Sequence, residues 1–250
     1  MASRVPGGLT APVTELPVPA DLARLVVGCW IVGGVAAPRA LPQPAVDLVV
    51  MPDGRCRLAG PETRCRQGPL PKGGALVGVR LRPGTVTGLF GVAADEVPLA
   101  GAPIEVGRLP GPAQARLAGA LALVRARAGQ CRVDERVRKV VAFMHAAPGA
   151  PVGRHAAEVG LSERQLRRRF VVAVGLRPKA YIRVVRLHEA LAAAQSALAR
   201  GEPPNWANIA ASSGFYDQSH LLAEFREAVG VPPNTLLRDV RFLQASPAPG

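Results

Sequence analysis

The stretch Ile209-Ala-Ala-Ser-Ser-Gly-Phe-Tyr-Asp-Gln-Ser-His-Leu-Leu-Ala-Glu-Phe225, closed by Gly230-Val-Pro-Pro233, has a counterpart upstream. Ala156, Gly160, Leu166, Phe170, Gly175 and Pro178 return as Ala210, Gly214, Leu221, Phe225, Gly230 and Pro233. The last four pairs are 55 residues apart and the first two 54, so the copies differ by one residue in the turn after the first glycine. Each copy spells a helix, a tight turn and a second helix. A small residue packs inside the first helix, glycine closes it, and leucine and phenylalanine four apart pin the second to a core.

The second helix of each copy has an informative outer face. In Ser162-Glu-Arg-Gln-Leu-Arg-Arg-Arg-Phe170, Ser162 and Gln165 make a capping box that fixes the helix start. At helical periodicity Leu166, Phe170 and Ala173 face one way, while Arg164 and Arg168 lie opposite, flanked by Gln165 and Arg167. Such a helix in a major groove offers arginine to guanine and glutamine to adenine. Arg169 lies nearer the core edge, within reach of a phosphate. In the second copy Asp217 is the N-cap and exposes Gln218, Ser219 and His220, with a capping or packing role as the alternative for His220. Ala223, Arg226 and Glu227 follow, a far less basic face. Two such units point to a protein that grips neighbouring segments of one DNA duplex.

These two segments, with Leu161–Phe170 joined to Gly175-Leu-Arg-Pro178, resemble the signature of AraC/XylS-type transcription regulators. The resemblance spans about residues 134–238. It implies seven helices, with a long helix from Pro178 to about Leu198 holding the two reading helices roughly one DNA turn apart. It also implies base-facing positions for Arg164, Arg167 and Arg168 in the first unit and for Gln218, Ser219 and His220 in the second. Ala223 stands where the family often carries arginine, so the first helix is expected to dominate specificity and the second to position.

Upstream the texture changes. Leu25-Val26-Val27, Val46–Val50 and Leu76–Leu81 are short β-branched runs, broken at Pro52-Asp53-Gly54, Gly68-Pro69, Gly73-Gly74 and Pro83-Gly84. This predicts a mainly-β sandwich or small barrel over residues 21–108, after a loose lead-in at 1–20. The chain is thus α+β. Pro112 to about Ala128 reads as a helix with Ala113, Leu117, Leu121 and Val124 on one stripe, a packed helix, sheet lid or dimer seam, and Gly129-Gln130 reads as a linker. Residues 131–240 are the all-helical DNA-binding domain, in which Asp134 caps a helix reaching about Ala147. Residues 241–250 are a tail. In the resembling family the strand-rich domain is often a cupin-like sensor. Cys29-Trp30, Leu41–Leu48 and Gly78–Gly84 more specifically resemble an uncharacterised domain found ahead of such regulators. Trp30, Asp47, Arg80 and Arg82 are the candidates to line an effector pocket. The alternative makes Trp30 core and the two arginines solvent-facing.

The chain has 250 residues, 31 basic and 18 acidic, for a net charge of +13, which favours a polyanionic partner. Both halves share the excess, and local clustering carries the argument. Four scattered cysteines form no C-x-x-C pair, and no histidine precedes His145, so neither a metal site nor a cofactor is expected. The scattered cysteines also lack the zinc-bound cluster of relatives fused to alkyl-transfer repair. G-x-S-x-G, P-loop and G-x-G-x-x-G motifs are lacking, so the reading is not an enzyme. Neither a secretory signal nor an apolar run of membrane-spanning length is seen, so the expected place is the cytoplasm. The expected partners are double-stranded DNA, a small-molecule effector, a second copy of the chain, and RNA polymerase for an activator. A rival gives the strand domain only oligomerisation or protein contacts, with no effector.

Overall fold

Eight strands form among the described residues, Val13–Leu16 (β1), Val26–Val32 (β2), Arg39–Ala40 (β3), Asp47–Val50 (β4), Arg55–Ala59 (β5), Arg66–Gln67 (β6), Leu76–Leu81 (β7) and Ile104–Arg108 (β8), and the three β-branched runs fall in β2, β4 and β7. The structure, a computed structural model, describes residues 13–33, 39–67, 74–98 and 104–238. The 241–250 tail and most of the 1–20 lead-in lie outside them. Val13–Leu16, expected in the lead-in, instead pairs antiparallel with Cys29–Val32 as an edge strand. No alternation long enough to announce a strand exists in those four residues, so only the partner defines it. The main sheet is antiparallel, in the order β1-β2-β7-β4-β5-β8, and β3 pairs with β6 as a two-stranded ribbon.

Alternation along each strand sorts the sheet's two faces. Cys29, Leu48, Val50, Cys56, Leu58, Val77, Val79 and Leu81 are buried on one. The helix Ala113–Ala128 (α2) lays Leu117, Ala120 and Val124 over that face, so it is a packed helix of this domain. The same helix buries Arg116, whose guanidinium donates to the Val50, Met51 and Ala75 carbonyls and so closes the ends of β4 and β7. A short helix, Val86–Phe90 (α1), precedes α2.

The opposite face carries Trp30, Gly78, Arg80 and Asp47 in register across β2, β7 and β4. Trp30 lies flat on Gly78: a Cβ there would sit 1.9 Å from the indole. Gly78→Ala therefore forces the ring off the strand and is expected to destabilise the domain by about 1–3 kcal/mol. A denaturant titration read by tryptophan fluorescence measures it.

Seven helices follow among the described residues, the number that the resemblance implies: Glu135–Ala146 (α3), Val152–Ala157 (α4), Glu163–Val174 (α5), Pro178–Ala199 (α6), Trp206–Ser212 (α7), Gln218–Val229 (α8) and Pro233–Arg238 (α9). The turns after α4 and α7 pass through Gly160 and Gly214 at φ of +65° and +79°, backbone that glycine adopts without strain. Two cores share α6. Tyr181, Ile182 and Val185 join Val137, Val140, Met144, Leu166 and Phe170. Leu187, Ala190, Leu191 and Ala194 join Trp206, Ile209, Leu221 and Phe225.

The strand domain rests on both helical units. The 3-10 turn Ala94–Glu96 abuts the end of α5, with the Ala94 carbonyl against Gly175. The Cys65 N–H donates to the Ala228 carbonyl at 2.6 Å, Arg64 pairs with Glu227 at 3.1 Å, and Leu41 enters the second core. His188 of α6 is buried at this junction, its Nε2 2.7 Å from the Pro42 carbonyl oxygen. Burial, helped by Arg80 and His145, lowers its pKa to about 4 against the opposing pull of that carbonyl. The unfolded chain therefore takes up this proton first, below pH 6.5, and stability is lost as pH falls from there toward 4. Denaturation at pH 7 and pH 5 should differ by on the order of 2 kcal/mol from this residue, and His188→Gln should remove that share.

Candidate nucleic-acid interface

The outer face of α5 is set by its cap. Ser162 Oγ accepts from the Gln165 N–H, and Gln165 Oε1 accepts in return from the Ser162 N–H at 2.9 Å and its hydroxyl at 3.1 Å. Leu166 and Phe170 are fully buried behind the helix, and Phe170 stands edge-on to Tyr181. Rotation is thereby fixed, and Arg164, Arg167 and Arg168 are left exposed in front. Among the described residues no carboxylate pairs with these three. They form a cationic face whose charge is available to a polyanion.

Two neighbours expected on that face are otherwise engaged. The Gln165 amide oxygen is held by Ser162, which takes away the acceptor a bidentate adenine contact needs. Gln165 therefore belongs to the helix start. Arg169 Nη1 donates to Asp134 Oδ2 at 2.7 Å, strapping α5 to the first turn of α3. Asp134 also caps α3 through the Arg136 and Val137 N–H groups. Burial pushes this carboxyl up, but Arg169 and the two N–H donors outweigh it and hold it below the usual range.

In the second unit the Asp217 carboxylate accepts from the His220 N–H at 2.7 Å and starts α8. Gln218 and Ser219 are exposed in its first turn. His220, also expected there, turns back along the helix. Its Nδ1 accepts from the Tyr216 N–H at 3.3 Å, its ring stands edge-on to Phe215, and its Nε2 lies 3.7 Å from Glu224. That is the capping and packing role given as its alternative. Glu224 and Glu227 are both bonded by Arg183 of α6, and Glu227 also by Arg64 of the strand domain. A chain of ion pairs thus runs from the strand domain through Glu227 and Arg183 to Glu224 of α8. Arg226 is the exposed cation of α8, two turns beyond the cap. Sequence reading passed over Tyr216, which is 91% exposed beside that cap. The one-residue difference between the copies was the available signal.

The four effector candidates do not all meet. Arg80 makes a two-pronged pair with Asp47 at 3.1 and 3.2 Å, and the Trp30 indole N–H donates to the same carboxylate at 3.3 Å. Both charged side chains are 15% exposed, so Trp30, Asp47 and Arg80 form one half-buried polar group. Arg82, two residues on, instead donates both its Nε and Nη2 to the Ala23 carbonyl. Among the described residues no group of histidine, cysteine and acidic side chains is arranged to hold a metal ion, and all four cysteines are free thiols. No helix there is long and apolar enough to cross a membrane.

Residues 155–239 match a family described as a helix-turn-helix domain, and residues 14–98 match a domain of unknown function, DUF6597. No curated protein matches the chain. Among solved structures, ToxT of Vibrio cholerae is similar at 8% identity and a TM-score of 0.47, over 91% of this chain and 98% of that one. A second ToxT structure, with an unsaturated fatty acid bound, is similar at 9% identity and a TM-score of 0.46, over 85% and 94%.

Proposed function

We propose that the chain, with a helix-turn-helix domain behind a domain of unknown function, is an AraC-type DNA-binding regulator that reads one face of a duplex with two helices of unequal task. α5 enters one major groove and reads bases with Arg164, Arg167 and Arg168. α8 occupies the next groove and positions the protein, with Gln218 and Ser219 at its tip. The observation that carries this is the contrast between the two faces: on α5 three arginines with no carboxylate partner among the described residues, and on α8 an acidic pair already neutralised by Arg183 and Arg64.

The strand domain's contacts with α6 and α8 support a regulatory role for it. Its effector site is the Trp30–Asp47–Arg80 group, where an anionic molecule would compete with Asp47 for Arg80, close to His188 of α6. The rival is a strand domain that only pairs with a second copy of the chain or another protein; a thermal-shift screen against metabolites separates the two. RNA polymerase is a further partner if the protein activates. Anisotropy titrations of the full chain on duplex DNA across salt concentrations test the main reading. Log affinity should fall linearly with log salt at a slope of about −0.9 per phosphate neutralised, whereas a flat response contradicts it.

A further inference from the structure

The one residue by which the two units differ is Tyr216. Leu161 and Phe215 are the buried anchors after the turn glycines, 54 residues apart, while Ser162 and Asp217, the N-caps of α5 and α8, are 55 apart. α5 therefore begins directly after its anchor, and α8 begins one residue later, with Tyr216 between. Its backbone is fixed on every side. Phe215 is buried before it, Asp217 caps the helix after it, and its own N–H donates to His220 Nδ1. Its side chain is 91% exposed, the most exposed of the large hydrophobic side chains described, and no ring or hydrogen-bond partner of its phenol is found among the described residues. Folding has little use for a side chain left this far in water, yet the backbone that carries it is fixed at the start of α8.

The chemistry around it says what surface it meets. The first turn of α8 offers Gln218 and Ser219 but no arginine or lysine, whereas α5 carries Arg164 in its first turn and Arg167 and Arg168 just beyond, none with a carboxylate partner among the described residues. A helix seated against DNA still needs donors for the flanking phosphates, and a tyrosine hydroxyl is one of the groups that supply them. We infer that Tyr216 is the backbone anchor of the second unit: its hydroxyl donates to a phosphate oxygen at the groove edge and its ring lies against the adjoining sugar. This rests on the reading of α8 as a DNA-facing helix. The anchor is indifferent to sequence.

The test uses the full chain, a duplex enriched by selection with that chain, and a panel with single base-pair changes in the second half-site. Tyr216→Ala should weaken binding about 10-fold on every duplex alike, as loss of a hydrogen bond to a charged group implies. Tyr216→Phe, which keeps the ring, should recover only part of that loss, and both variants should melt at the wild-type temperature. Wild-type affinity in Tyr216→Ala overturns the inference. So does a loss confined to one base pair, which would make Tyr216 a base reader, or a loss accompanied by a lower melting temperature, which would make it structural. Failure of the unaltered chain to bind any duplex overturns the regulator reading itself, a result distinguishable from all of these.

Discussion

Arg164→Ala and Arg168→Ala combined should lower affinity for the selected duplex by about 100-fold or more, with stability unchanged within about 0.5 kcal/mol. The magnitude follows from the chemistry: each bidentate arginine–guanine contact discriminates by about 1–3 kcal/mol, roughly 5- to 150-fold. Stability should be spared because both side chains are exposed, and neither has a carboxylate partner among the described residues. The two are four apart on one helix, so their effects need not add, and the single variants belong in the same experiment. Relaxed preference at one base pair per arginine marks base reading. An equal loss on all sequences, with a shallower salt slope, would reduce both to phosphate clamps.

Phe225→Ala should cost about 3–5 kcal/mol, a large share of the stability of an ordinary domain. The ring is fully buried, edge-on to Trp206 at 6.4 Å, and fixes α8 against α6 and α7. The first unit has a separate core in which Phe170 meets Tyr181 at 5.2 Å. Hydrogen exchange should therefore speed up in α7 and α8 while α5 keeps its protection. The seating of Leu41 in the second core extends the expected loss to the strand-domain contact. If α5 exchanges as fast as α8, the shared helix α6 makes the two cores one cooperative unit.

What was legible in the sequence is what local chemistry decides. Asp134, Ser162 and Asp217 were readable as caps because a side chain and the N–H groups two or three residues on are enough to make one. The periodicity of Leu166, Phe170, Leu221 and Phe225 likewise showed which face α5 and α8 bury. Pairings made at long range were not legible. Arg64 and Glu227 are 163 residues apart, and Arg116 finds its carbonyl partners 41 to 66 residues upstream. Nothing in either neighbourhood announces the other. Gln165 and His220 show a subtler limit, since each was recognised as polar and outward. Whether such a side chain faces a ligand or turns back to its own helix depends on hydrogen bonds of 2.9 to 3.3 Å that spacing alone leaves undetermined.

The central claim is that two helices of one chain occupy successive major grooves and share the reading unequally. In-vitro selection of duplex DNA with the full chain, at two salt concentrations, tests it most directly. The account predicts a bipartite motif with centres about 10 base pairs apart, strongly constrained under α5 and weakly under α8. Enrichment of a single short motif with a featureless flank, or of no sequence at all, would contradict it.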